Sequence, residues 1–178
     1  MSANLVYVAA STNRFSDAAD VSPSSSVIAF GSSRLLALWH VDVSFAPEAP
    51  LSSSKFYQDP NDHGVSQTLP GHDGFITCVK FIKDDIIVSA DTKGTLRLWK
   101  KNILSQAGKG FSIGLLRANV IGQWKAHRTI QAHSKSISCL YVKGEHLVTG
   151  SSDSCVKFWK VTKDYKSGIM IYKFYTLI

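Results

Sequence analysis

Three of the four tryptophans, Trp39, Trp99 and Trp159, follow one another at intervals of 60 residues. The segments before them can be aligned: 18–39 lies on 78–99 without a gap, and 139–159 follows with one residue fewer. A fixed period of this size indicates a chain built from copies of one supersecondary unit. We therefore expect three copies of one unit, each ending at a tryptophan.

Each copy contains three short runs of β-branched and large apolar residues, separated by turn residues, which is the pattern of β-strands. In the second and third copies these runs are 77–82, 86–89, 95–99, 138–142, 146–149 and 155–159. A fourth run precedes each of these copies, at 65–72 and at 119–133. Repeated units of four strands are typical of β-propeller blades. The sequence thus predicts an all-β propeller fold, with the excess length of each copy in loops at 40–64 and 100–118.

Other features of the sequence exclude several classes of protein. No apolar run approaches the roughly 20 residues that span a bilayer, and the N-terminus lacks the basic segment of a secretory signal. The three cysteines show no C-x-x-C spacing, so we expect a reducing compartment rather than a disulfide framework. Cys78 and Cys139 occupy equivalent positions in their copies, and we expect both to be buried. We expect no cofactor, no metal, no membrane contact and no small-molecule substrate.

The charge of the chain is unevenly distributed. Residues 1–70 contain three Lys or Arg and six Asp or Glu, whereas residues 71–178 contain seventeen and seven. A basic segment of this kind is compatible with a polyanionic partner such as RNA. A solvated, lysine-rich surface explains the same composition, and the charge alone does not choose between the two.

The stretch "HLVTGSSDSCVKFWK" (146–160) contains residues that a hydrolase would use, but its pattern recurs with the repeat. Gly71-His72 precedes Trp99 by 27 residues, and Ala132-His133 precedes Trp159 by 26. This resembles the WD40 family, whose units begin with Gly-His, end at Trp-Asp, and contain a buried tetrad of His, Ser or Thr, Asp and Trp.

The resemblance implies structural tetrads rather than catalytic residues. The third copy offers a complete set, and the second a partial one in which Lys93 stands where the third has its aspartate. The first copy has Asn13 near the place of the histidine and Ser33 at the place of the aspartate. The implied structural tetrad is His133, Thr149, Asp153 and Trp159, with His72, Ser89 and Trp99 as the partial set.

Three blades cannot close a propeller, which usually has 4–8. We therefore expect 1–163 to be the N-terminal part of a larger WD40 propeller, with the run at 5–10 in the place of an outer strand. The tail 164–178 does not resume the repeat, although its end is apolar and strand-like. We expect it to be atypical.

Residues 5–161 also resemble the family of WD-repeat subunits of the Elongator complex. The resemblance lies in Asn-Arg followed by Ala-Ala-Asp, in "VIAFGSSRLLALW" (27–39), and in the segments that lead to Trp99 and Trp159. It implies a non-catalytic scaffold in the cytoplasm and nucleus, which supports tRNA wobble-uridine modification by binding other Elongator subunits. Weak, nonspecific contact with tRNA is compatible with it. The alternative is a generic WD40 adaptor of another complex, such as a ubiquitin ligase or a chromatin-associated assembly.

Overall fold

The computed structural model describes residues 13–40, 65–102, 123–162 and 170–177, with the backbone alone described for His40 and for 170–177. The regular structure in these ranges consists of twelve β-strands in three four-stranded antiparallel sheets that do not close a ring. This confirms the predicted all-β, partial propeller. The strands are β1 (Ala19–Val21), β2 (Val27–Ser32), β3 (Leu35–His40), β4 (Gln67–Leu69), β5 (Ile76–Lys83), β6 (Ile86–Asp91), β7 (Thr95–Asn102), β8 (Gln123–Gln131), β9 (Ile137–Lys143), β10 (His146–Ser151), β11 (Val156–Thr162) and β12 (Met170–Leu177).

Each sheet is a meander of four strands consecutive in the chain: β1–β4, β5–β8 and β9–β12. The runs that precede the second and third copies form β4 and β8. They pair with the last strand of the copy before them rather than with the copy that follows. Every described sheet therefore takes its outer strand from beyond the tryptophan that ends its copy.

The end of the chain follows the same rule. Strand β12 pairs antiparallel with β11, from Val156↔Leu177 to Thr162↔Met170. The strand-like end of the tail thus supplies the outer strand of the third sheet, in the place that β4 and β8 occupy in the other two. The division into 1–163 and 164–178 stays a prediction, and the run expected at 5–10 lies outside the described residues.

The hairpin at the centre of the first sheet is one residue shorter than its counterpart. In the second sheet three residues join β6 to β7, and Gly94 among them has a φ of +80°. In the first sheet two residues join β2 to β3, and Phe30 pairs with Ala37 where Ser89 pairs with Arg97. The gapless alignment of the first two copies is therefore wrong by one residue in β2, because it ignores the shorter turn.

The sheets pack face to face around two apolar clusters. One lies between the first and second sheets, and the other lies between the second and third and includes Trp159, Leu147, Leu96 and Leu98. Among the described residues nothing covers the opposite face of the third sheet, and Tyr141 there is 62% exposed. No helix in the described part of the chain is long and apolar enough to cross a membrane.

The uncovered face of the third sheet contradicts the prediction that both equivalent cysteines are buried. Cys78 pairs with Ala90 and Cys139 with Gly150, so the two cysteines are structurally equivalent. Cys78 is completely buried because the third sheet covers it, whereas Cys139 is exposed. The prediction that Cys139 is buried is wrong, because burial at this position depends on a following sheet.

Candidate functional site

The third sheet brings together the four residues of the predicted tetrad. Trp159 on β11 donates its indole N–H to Thr149 Oγ1 on β10 at 2.9 Å. Thr149 Oγ1 lies 2.8 Å from His133 Nε2, and His133 Nδ1 lies 3.0 Å from both carboxylate oxygens of Asp153. The histidine side chain is fully buried, and that of Asp153 is 8% exposed.

One arrangement of hydrogens satisfies the whole chain of contacts. The indole nitrogen of Trp159 can only donate, so the hydroxyl of Thr149 accepts from it and donates to His133 Nε2. The Nδ1–H of a neutral imidazole then donates to Asp153. Burial lowers the pKa of His133, although Asp153 acts in the opposite direction, and a lowered pKa agrees with a neutral ring.

The carboxylate of Asp153 is held in its ionised form. Burial acts to raise its pKa, but hydrogen bonds from the backbone amides of Ser134 and Cys155 and from His133 outweigh it, so the pKa lies well below its usual range. The Cys155 amide belongs to the turn between β10 and β11, whereas the Ser134 amide belongs to the connection between β8 and β9. Asp153 therefore links the histidine to the hairpin that carries Thr149 and Trp159.

The second sheet contains a complete tetrad, whereas the sequence predicts only a partial one. Trp99 Nε1 donates to Ser89 Oγ at 2.8 Å, and Ser89 Oγ lies 2.6 Å from His72 Nε2. His72 Nδ1 lies 2.8 Å from Asp91 Oδ2, and both side chains are fully buried. The prediction that this set lacks its carboxylate is wrong, because Asp91 supplies the group two residues before Lys93.

Asp91 reaches the histidine because it ends β6 and turns inward from the hairpin. Its other carboxylate oxygen accepts hydrogen bonds from the amides of Lys93 and Thr95, at 2.9 Å each. Burial acts to raise the pKa of Asp91, but the hydrogen bonds from His72, Thr95 and Lys93 lower it overall. The sequence contains a signal for this role, because the turn begins with an aspartate and carries a glycine. An aspartate at the start of such a turn accepts a hydrogen bond from the backbone amide two residues later.

The first sheet has a different hydrogen-bonded arrangement at the position that corresponds to the tetrad. Phe30 stands at the position of the hydroxyl, so a tetrad cannot form there. Asn13 accepts a hydrogen bond from the amide of Ser33 at 2.7 Å, and its Nδ2 lies 2.8 Å from the carbonyls of Ser33 and Ile76. Because Ile76 begins β5, Asn13 connects the turn of the first sheet to the second sheet.

These clusters have the chemistry of a scaffold. The hydroxyls of Ser89 and Thr149 are fully buried and already bonded on both sides, so neither is available to attack a substrate. Fully satisfied buried networks of this kind favour a single packing of the strands that they join. In the described residues, no three or more His, Cys, Asp or Glu side chains are grouped so as to hold a metal ion.

The repeats match a known family model. The model described as "WD domain, G-beta repeat" matches residues 64–100 and 124–160, which are the segments that end just beyond Trp99 and Trp159. Both matched segments contain a complete hydrogen-bonded tetrad.

Comparison with known proteins gives relatives in several assemblies. The chain is 26% identical to Elongator complex protein 2 of Saccharomyces cerevisiae over 149 residues, which cover 83% of this chain and 15% of that protein. It is 34% identical to ribosome biogenesis protein ytm1 of Aspergillus clavatus over 95 residues, which cover 52% of this chain and 17% of that protein. The chain thus spans about a sixth of the length of either relative.

A solved structure gives the same fold. The crystal structure of Sqt1 of Saccharomyces cerevisiae superposes with a TM-score of 0.58 over 93% of this chain and 37% of that chain, at 14% identity. At this identity the likeness concerns the fold alone.

Proposed function

This chain is built of WD40 repeats, and from that premise we propose that it is part of a non-catalytic scaffold subunit of the Elongator complex. In this role it binds other Elongator subunits and thereby supports the modification of wobble uridines in tRNA. It acts in the cytoplasm and the nucleus. WD40 domains mediate protein–protein interactions and are generally non-catalytic.

The observation that carries the proposal is the extent of the similarity to Elongator complex protein 2. It covers 83% of this chain, against 52% for ytm1 of Aspergillus clavatus and 72% for YTM1 of Chaetomium thermophilum. An alignment of 149 residues reaches beyond the two repeats that the family model matches. Similarity confined to those two repeats would be expected of WD40 proteins in general.

The second candidate is an adaptor in a different assembly. The identity to ytm1, at 34%, is higher than that to the Elongator protein, although over fewer residues. Ribosome assembly therefore joins ubiquitin ligases and chromatin complexes as a setting for this alternative. Since fold does not determine function, the partner must be identified directly.

The test uses the full-length gene product in the organism that encodes this chain. The protein is tagged at its own locus, purified, and its partners are identified by mass spectrometry. In parallel the gene is deleted, and nucleosides from digested tRNA are measured by mass spectrometry. We expect the other Elongator subunits to co-purify, and carboxymethyl-type wobble uridines to disappear on deletion.

The control is the deletion strain with the full-length gene restored, which should recover the modification. Normal wobble uridines in the deletion strain would reject the Elongator proposal. Ribosome-assembly factors in the purified complex, together with normal tRNA, would establish the second candidate instead. The purified subunit alone should perform no chemistry on tRNA.

A further inference from the structure

A row of basic side chains crosses the second sheet at the end where β5 turns into β6. The strand register places Lys83 beside Ile86, Ile86 beside Lys100, and Lys100 beside Lys125. Side chains directly opposite each other on antiparallel strands lie about 5 Å apart at Cβ, and like charges in such pairs are destabilising. A nearby negative charge would therefore offset the repulsion between Lys100 and Lys125.

A bulge in β8 adds a third cation to this face. Trp99 pairs with Ala126 and Leu98 with Arg128, so His127 is an extra residue on β8. Strict alternation along a strand would place residues 125 and 128 on opposite faces. Because of the bulge, Arg128 pairs with Leu98, on the same face as Lys100 and Lys125.

The carboxylates described at this end of the sheets belong to Asp84, Asp85 and Glu145, and none of them lies within ion-pair distance of the three cations. Lys83, at the inner end of the row, pairs with Glu145 at 3.7 Å. Among the described residues, Lys100, Lys125 and Arg128 form no ion pair. Lys125 and Arg128 are exposed, and Lys100 is half-buried. We call Lys100, Lys125 and Arg128 the cationic face of β7 and β8.

We propose that the cationic face binds the phosphate backbone of RNA. Both arginine and lysine bind phosphate. Arginine does so through the two parallel N–H groups of its planar guanidinium, and lysine through the point charge of its ammonium group. RNA is favoured over an acidic peptide because neutralising its backbone releases condensed counterions, a gain that a short peptide does not offer. The excess of positive charge in residues 71–178 also draws a polyanion to this part of the molecule.

The cations also lie on two strands rather than along one edge. An acidic peptide that added a strand beside β8 would meet Lys125 and Arg128 but not Lys100, which lies one strand further in. A flexible single-stranded backbone can follow all three. The contact is expected to be independent of base sequence, because phosphate contacts carry no sequence information directly. This inference does not depend on the proposed assembly.

The test measures binding of the 178-residue chain to a fluorescent oligouridine of about 20 nucleotides, by anisotropy at several salt concentrations. The variant K100Q/K125Q/R128Q is compared with R14Q/K93Q/K135Q, which removes the same charge from exposed positions at the other end of the sheets. Each phosphate contact on a single strand contributes about 0.7 to the slope of log affinity against log salt. We expect the first variant to lose about 2 units of slope and at least tenfold in affinity, and the control variant to lose much less.

The variant K100R/K125R/R128K keeps the charges and should bind RNA like the wild type. Thermal unfolding of all variants checks that they are folded, and single substitutions replace a triple variant that is not. Equal losses in the two glutamine variants would overturn the proposal, since net charge would then explain binding. Wild-type chain that binds oligoglutamate but not oligouridine would overturn it in favour of an acidic peptide.

Discussion

Replacing Asp91 with alanine tests whether this residue, rather than Lys93, completes the second tetrad. The carboxylate of Asp91 is fully buried and accepts hydrogen bonds from His72 Nδ1 and from the amides of Lys93 and Thr95, all within 2.9 Å. Alanine removes both acceptor oxygens, and with them three hydrogen bonds, and leaves the imidazole N–H of His72 buried without a partner. The side chain of Lys93 is exposed and has no part in the network.

The expected loss follows from the surroundings of each donor. A buried donor left unpaired costs about 1–3 kcal/mol, and more when its partner was charged. The His72 N–H is fully buried, whereas the two amides are partly buried and regain some hydration, so we expect Asp91→Ala to cost about 3–5 kcal/mol. Asp153→Ala should cost less, about 1–3 kcal/mol, because water can reach the Ser134 amide. Lys93→Ala should cost less than about 0.5 kcal/mol.

Urea unfolding followed by tryptophan fluorescence measures these differences, with Asp91→Asn as a further variant. Asparagine keeps the shape of the side chain but not its charge, and should fall between the wild type and Asp91→Ala. A loss from Lys93→Ala equal to that from Asp91→Ala would refute the reasoning. So would a loss below about 1 kcal/mol for Asp91→Ala, since that would mean that the buried imidazole finds another partner.

Three further predictions concern thiols, pH and turn geometry. Burial raises the pKa of Cys78 to about 11, so a thiol reagent at pH 8 should modify exposed Cys139 at once and Cys78 only on unfolding; equally fast labelling would contradict this. Because folding lowers the pKa of His133, this residue is protonated at a higher pH in the unfolded chain than in the folded chain. The free energy of unfolding measured by urea titration should therefore fall as pH drops below the ordinary value of 6.5, and a constant value down to pH 5 would be contrary evidence. Gly94→Ala would bring a Cβ into collision with the carbonyl oxygen of His133 and should lower stability by about 2 kcal/mol or more, whereas Gly144→Ala, in open space, should cost about 1 kcal/mol; similar losses in thermal melts would refute the clash.

The architecture was predictable because the repeat appears in two independent ways. The tryptophans set the period, and the strand runs between turn residues set the content of each unit. The third tetrad also followed from spacing, since His133, Thr149 and Asp153 stand at the distances from Trp159 that the family uses. Sequence spacing was sufficient to predict these features, because the distance of each residue from the tryptophan determines its place in the sheet.

The remaining details depend on geometry that spacing does not encode. Aligning backwards from the tryptophans treats every turn as equal, so the shorter turn of the first sheet, which puts Phe30 at the hydroxyl position, was missed. The bulge at His127 reverses the face of Arg128, and no alternation rule predicts it. The exposure of Cys139 depends on which sheet follows, which is a tertiary fact.

The carboxylates of the two tetrads come from positions two residues apart in equivalent hairpins. Asp91 corresponds to Ser151, and Lys93 corresponds to Asp153. A carboxylate at either position therefore reaches the Nδ1 atom of the histidine. Two aspartates in one hairpin would repel each other beside one imidazole, so one carboxylate for each hairpin is sufficient. A search for aspartate only at the position of Asp153 therefore misses the carboxylate of the second tetrad, which Asp91 supplies.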